Sequence, residues 1–406
     1  MGRKTAVWKI LWKIGLLVFF GIGLCYGYFF NLFPQKKYKA QDFNLKTEHS
    51  SMDYNKNGVD DYTDFLAGAK KDAAKHPHYD ARYWENGFPP EDVGVCSVDM
   101  AGPGLRLARG FYSKCLEPLL RRYCPGIFPY IALGLVGEGS ECLNCDDEIS
   151  RDHDWGAGCC LWLPAEDMAT LREPLSCTLE LLPRSYSGHP VRHFEPGSRD
   201  RLGPWTVEGF YKRYTGLDRP PASWREWLPI PEHFLAVCTN GEVFHDGPGL
   251  FTSHRAALLD FYPNDVLRHK IAARCAVMAQ AGQYNLPRSW RREDAVAPML
   301  CAARFAEAAL SLLFLLHRRY MPFYKWAHRL ARSLPRPGET VAGMLETLAR
   351  SGPNGAMVEE ICAALATELR ARGLSSAPGD WMLSHGASVA EGITDTELQA
   401  IPYMRA

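Results

Sequence analysis

Two small groups of residues in this chain have the types and spacing to do chemistry, and both lie in Gly137–Gly156, GEGSECLNCDDEISRDHDWG. The first is Gly139-Ser140. A glycine lets backbone approach a phosphate closely, and Ser140 adds a hydroxyl donor. The amides opening the next helical turn would complete an anion cradle. The second is Asp152 and Asp154, two apart, so that on a strand both carboxylates point to one face. Paired carboxylates across from a phosphate cradle suit one or two Mg²⁺ ions holding a triphosphate. Such a site neutralises the phosphates and favours in-line attack by an acceptor hydroxyl. His153 points to the opposite face and is expected to pack. Cys142-x-x-Cys145 has zinc spacing, but no second pair follows it.

These residues need strands and turns to hold them. Apolar runs flank the motif at Ile131–Val136 and Cys159–Leu163. The patterning predicts a helix over Leu105–Arg122, broken at Cys124-Pro125-Gly126, and a strand over Tyr130–Val136. A short helical piece over Glu141–Glu148 and a strand over His153–Leu163 follow. Next come a helix over Pro164–Leu182, a third strand at Val191–Phe194 and a helix over Thr206–Tyr214 ending at Gly216. AVCTNGEVFHD reads as a hairpin turning at Asn240-Gly241. Beyond it the chain reads as helical: Ser253–Tyr262, Asp265–Gln283, Arg292–His317, Pro322–Leu334, Gly338–Ser351 and Ala356–Arg372. Ala and Leu at three–four spacing imply a bundle core.

Through GLVGEGSECLNCDDEISRDHDWG, NGEVFHD (Asn240–Asp246) and RRYMPFYKW (Arg318–Trp326), residues about 104–400 resemble a bacterial family catalogued as domain of unknown function 4037. That family lies within the nucleotidyltransferase superfamily. The resemblance implies an α+β fold, a small mixed sheet with flanking helices followed by an α-helical bundle. It implies transfer of a nucleoside monophosphate from a nucleoside triphosphate, with ATP the expected nucleotide, to a hydroxyl on a small molecule or protein. Gly139 and Ser140 would contact phosphate, Asp152 and Asp154 would hold Mg²⁺, and Lys325 would reach the phosphates from the bundle. The superfamily usually adds a third carboxylate from a later strand. Val191–Trp205 has no clean apolar-acid-apolar strand, which leaves Glu195, with Asp200 close behind. The aromatic neighbours Tyr320, Phe323, Tyr324 and Trp326 are expected to pack, and Glu242, His245 and Asp246 to be structural. A nucleotide-binding regulatory module without turnover is the alternative, favoured if the third carboxylate is absent.

Composition bounds the rest. The formal net charge of +0 gives no global attraction to nucleic acid, and none is expected as a partner. Thirteen cysteines, an odd number set mostly in apolar segments, read as reduced thiols from Cys115 onward. Residues 1–100 carry eleven Lys and two Arg, whereas residues 101–406 carry four Lys and twenty-nine Arg. This shift predicts two segments joined near Met100, with the functional unit starting there and expected to be cytoplasmic.

Within the first segment, residues 1–13 are basic and Ile14–Phe33 is uncharged and long enough to cross a bilayer as a helix. Flanking cations favour a single-pass anchor with a cytoplasmic N-terminus. Residues 34–99 read as a linker and a truncated fragment. There Asp53, Asn55, Asn57, Asp61 and Asp64, with Gly58, match a Ca²⁺ loop apart from Asp at its last position. An Asx-rich turn capping a helix around Tyr62–Lys75 is the reading the same residues favour over the Ca²⁺ loop. NGVDDYTDFLAGAK and GVCS resemble the opening of a bacterial envelope family, domain of unknown function 1287, related to cysteine peptidases and amidases. Cys96 would be its nucleophile, but the chain departs from the family directly afterwards, so residues 1–99 are expected to have no catalytic activity. A membrane-anchored envelope protein with this degenerate N-terminus is the remaining alternative. The expected domains are 100–222 for the sheet, 223–385 for the bundle and 386–406 for a tail.

Overall fold

The computed structural model describes residues 103–151, 155–192 and 202–405, all within the unit Gly94–Ala406. The apolar run at 14–33, the Ca²⁺-loop residues Asp53–Asp64 and Cys96 lie outside the described residues. The described chain is α+β, a small mixed sheet beside a helical bundle.

At the centre of the sheet is β1, Ala132–Leu135, with all four residues buried. It pairs antiparallel with β2, Cys160–Leu163, aligning Leu133 with Leu161. In the chain α1, Pro103–Phe111, precedes β1, and the site loop lies between β1 and β2. α2, Glu117–Tyr123, also precedes β1, and α3, Ala165–Leu179, follows β2. The two-residue strands β3 (Ser185–Tyr186) and β4 (His189–Pro190) form a separate ribbon. A two-residue β5, Trp205–Thr206, pairs parallel with β2, and β6, Glu242–Asp246, pairs antiparallel with β1. The order is β5-β2-β1-β6.

Alternation along β2, and between Ala132 and Leu133 of β1, divides the side chains between two cores, while Leu135 departs from that period beyond the register shift between Leu133 and Gly134. Leu133, Leu161 and Leu163 pack with Phe111, Leu116, Leu120, Leu175 and Leu179 from α1, α2 and α3. Ala132, Leu135 and Trp162 face the other way, into a core that runs on into the bundle. Trp162 carries this junction, its ring 4.1 Å from that of Phe251 and 5.5 Å from that of Phe210. Burying an aromatic ring of this size is among the largest single contributions a sheet–helix junction makes.

α4, Val207–Thr215, starts and stops as expected: the Thr206 hydroxyl accepts from the Gly209 amide at 2.9 Å, and Gly216 ends it at φ 79°. Then come α5 (Trp224–Trp227), α6 (Glu232–Thr239), α7 (Leu250–Leu259), α8 (Asn264–Met278, running on through a π-helical stretch to Asn285) and α9 (Leu286–Arg291). The bundle is completed by α10 (Ala297–Leu316), α11 (Tyr324–Ala331), α12 (Gly338–Ser351), α13 (Gly355–Ala371), α14 (Met382–Glu391) and α15 (Thr396–Gln399). α10 is long and apolar enough to cross a membrane, but half its apolar window is buried, as in a core helix.

Several expectations are corrected. AVCT is the end of α6 and not a hairpin strand, so Asn240-Gly241 joins a helix to β6. Short apolar runs satisfy both periodicities, and here Leu235 and Cys238 take the helical one. The strand expected from His153 begins only at Cys160, because Ala157 bridges Val191 instead of extending β2. Val191 is correspondingly a single bridge, and residues 193–194 lie outside the described residues. Residues 386–391 belong to α14 and not to a tail: Met382, His385 and Val389 are fully buried on one helical face. The sheet also takes β6 from beyond residue 222, so its layer does not end there.

Candidate functional site

Gly137–Arg151 leaves the C-terminal end of β1 as a loop with two 3₁₀ turns, Ser140–Leu143 and Ile149–Arg151. Ser140 is the first residue of the first turn, and Gly139 before it is extended, at φ −68° and ψ 147°. The turn closes through Cys142 N–H to Gly139 O at 3.1 Å and Cys145 N–H to Ser140 O at 2.9 Å. Asn144, in the left-handed region at φ 55°, ends it. Among the described residues nothing accepts from the amides of Gly139 and Ser140. Unpaired amides at the start of a turn are the donors an anion requires.

The loop is tied down from four places. Asn240, 103 residues on, pairs both backbone groups of Gly137: its Oδ1 accepts from Gly137 N–H at 3.0 Å and its Nδ2 donates to Gly137 O at 2.7 Å. The amide of Gly241 donates to Cys142 O at 2.8 Å. From the other side, Gly104 N–H, in the first turn of α1, donates to Asp146 Oδ2 at 2.8 Å, and Trp155 Nε1 donates to the same oxygen at 3.1 Å. Asp146 is buried, and its Oδ1 has no hydrogen-bond partner among the described residues. Arg329 of α11 donates to Cys145 O at 2.9 Å and pairs with Asp147 at 3.3 Å. The Ser150 amide and hydroxyl both donate to Asp147 and hold its carboxyl below the usual carboxylate range.

The turn bearing Asn240 is itself held. Arg255 of α7 donates to Asn240 O at 2.6 Å and Gly241 O at 3.2 Å. Gly241 sits at φ 60°, and a Cβ there would lie 1.9 Å from Leu135 O. Left-handed backbone and contact with a backbone carbonyl together exclude any side chain. Gly241→Ala is therefore expected to destabilise the chain by about 3 kcal/mol, read as a lowered denaturation midpoint at unchanged slope.

The rest of NGEVFHD is structural, as expected. Glu242 makes a bidentate pair with Arg109, which ties β6 to α1. His245 Nε2 meets Phe128 O at 2.8 Å. Asp246 caps α7 by accepting from the amides of Gly249 and Thr252. Tyr320 packs, its hydroxyl donating to Leu258 O at 2.6 Å.

Of the residues expected to act, Gly139 and Ser140 lie together in the tied loop. Asp152, His153, Asp154, Glu195 and Asp200 lie outside the described residues. The residues bracketing the Asp-His-Asp triplet are fixed, with the Arg151 guanidinium 4.6 Å from the Trp155 ring centre and Trp155 edge-on to His189. Lys325 is exposed on α11, its Nζ 5.1 Å from the Trp326 ring centre. The contact from α11 to the loop comes one turn later, from Arg329, on the same helical face.

Burial pushes the Cys142 and Cys159 thiols up, so both stay protonated. Among the described residues no three His, Cys, Asp or Glu side chains converge as a metal set. Arg255, Asp146 and Arg329 carry no role in the sequence reading, and Asn240 only that of a turn residue. Only Asn240 left a signal there, as the opening residue of NGEVFHD.

No curated protein and no solved structure matches the chain. A family model does match, over the stretch running from α5 into α11 and so including Asn240, Gly241 and Arg255: residues 227–327 match the model of the family described as Domain of unknown function (DUF4037).

Proposed function

We propose that this chain is a Mg²⁺-dependent nucleotidyltransferase, moving a nucleoside monophosphate from a nucleoside triphosphate to a hydroxyl on a small molecule or protein. The observation that carries the reading is the Gly137–Ser140 loop. It leaves a buried central strand, is tied from four sides, and keeps the amides of Gly139 and Ser140 without acceptors among the described residues. A loop that is rigid yet has donors to spare fits an anionic ligand, because its amides need no rearrangement to receive one. This free-donor arrangement, with two aspartates following in the same motif, also fits a metal–triphosphate complex.

In this reading Gly139 and Ser140 donate to phosphate oxygens. Asp152 and Asp154 would hold the metal, which supplies neutralisation of the triphosphate when bound. Glu195 or Asp200 would take the proton from the acceptor hydroxyl. Arg329 sets the far side of the loop, and Lys325 on the same helical face adds positive charge near the departing phosphates. In this reading the functional unit begins near Met100, and the 14–33 run takes no part in the transfer.

The test is transfer of label from an α-phosphate-labelled nucleoside triphosphate, with Mg²⁺, to a panel of hydroxyl acceptors, alongside equilibrium binding of Mg-ATP. Label on an acceptor establishes the activity. The absence of both label transfer and nucleotide binding at millimolar Mg-ATP would sink the proposal.

A further inference from the structure

We infer that Asn240 is the positioning residue of the nucleotide loop, acting from a separate, rigid turn to fix the one glycine through which the loop leaves the sheet. The inference rests on the nucleotide-binding reading of that loop.

Gly137 is where β1 ends and the loop begins, and it stands at φ 142° in a region favouring glycine. Backbone at such a point has no strand partner on which to pair. Asn240 supplies one: a primary amide presents a donor and an acceptor side by side, the same pair an adjacent strand would offer. Both bonds are made, at 3.0 and 2.7 Å. Because Gly137 N–H is consumed here, the donors left for an anion are those further along, at Gly139 and Ser140.

The Asn240 side chain can position the loop only if its own backbone is fixed, and it is. Arg255 chelates the carbonyls of Asn240 and Gly241, and burial lowers its pKa from the ordinary arginine value. Gly241 lies against Leu135 O and donates to Cys142 O, so the same turn grips the loop at both Gly137 and Cys142. The distance between these grips sets where Gly139 and Ser140 sit. Displacement of about 1 Å at a binding group is enough to cost a large part of its effect.

The experiment compares full-length wild type, Asn240→Ala, Asn240→Asp and Val358→Ala, purified in mild detergent. Hydrogen exchange is followed over the segment 137–145, and Mg-ATP affinity by equilibrium dialysis. Val358 is buried in α13, away from the loop, and serves as a variant that loses stability alone. Asn240→Ala is expected to speed exchange in 137–145 and raise the Kd for Mg-ATP roughly tenfold or more. Asn240→Asp keeps the acceptor for Gly137 N–H but sets a carboxylate against Gly137 O, and is expected to fall between. Val358→Ala is expected to leave both readouts unchanged. If Asn240→Ala does not fold by circular dichroism, Asn240→Asp against Val358→Ala decides. Unchanged exchange, or faster exchange with unchanged affinity, overturns the positioning role. A wild type that holds no Mg-ATP removes the nucleotide reading instead, while the exchange result still tells whether Asn240 holds the loop.

Discussion

Replacing Asp152 and Asp154 together by alanine is expected to cut nucleotidyl transfer by about a thousandfold, a loss of about 4 kcal/mol of transition-state stabilisation. The size follows from what the pair is proposed to do. A triphosphate carries several negative charges into an in-line displacement, and without a held cation nothing offsets them. Each aspartate alone leaves one carboxylate, so single variants should fall short of the double. Ser140→Ala removes one neutral hydroxyl donor and should cost about tenfold or less. Label transfer from an α-labelled triphosphate gives the comparison, and nucleotide binding with circular dichroism shows whether the fold persists. Transfer by the double variant within a factor of ten of wild type would exclude the two-carboxylate mechanism.

The legible parts of the sequence are those where one local cause decides the outcome. The boundaries of α4 were readable because Thr206 caps one end and Gly216 the other. α12 matched the expected Gly338–Ser351 because its apolar spacing has no competing period. What was not legible depends on contacts across the chain. AVCT could serve a strand or a helix, and only its packing in α6 decides between them. β2 starts late because Ala157 finds Val191 as a partner, thirty-four residues on, which no local pattern records. The clamp on the loop combines Asn240, Arg255, Gly104, Asp146 and Arg329, brought together by the fold from five separate elements or turns. Arg329 was within reach of the reasoning that picked Lys325, since both share a face of α11. Side-chain length and direction, not residue type, selected between them.

Glu232→Ala is expected to destabilise the chain by about 4 kcal/mol at neutral pH, more than any single change at the loop. Glu232 is the first residue of α6 and is 6% exposed. Its carboxylate accepts from Arg274 at 3.0 Å and from the Ser311 hydroxyl at 2.8 and 3.0 Å, while Arg274 Nε donates to the same Ser311 at 2.8 Å. Lys270, buried one turn before Arg274 on α8, has one carbonyl acceptor, Leu228 O at 3.2 Å, and sits against the Tyr262 ring. Burial lowers the pKa of Lys270 to about 8, with Glu232 opposing that fall and Arg274 adding to it. Glu232 is thus the one anion facing the buried Lys270 and the half-buried Arg274 in this cluster among the described residues, and removing it leaves both uncompensated. The sign of the pH dependence follows. Lys270 binds its proton less readily folded than unfolded, so the penalty for charging it is complete below about pH 8 and fades as the pH rises toward the ordinary value of 10.5. Over that window wild-type stability should gain about 3 kcal/mol from this group, and Lys270→Met should lose that slope. In Glu232→Ala the window should open at lower pH, because the opposing charge is gone. Lys270→Met added to Glu232→Ala should recover part of the loss, since the pair is coupled. Denaturant titrations of the four proteins at pH 7 and pH 9.5 measure all of this, and equal slopes in wild type and Lys270→Met would show that Lys270 is not the group responsible.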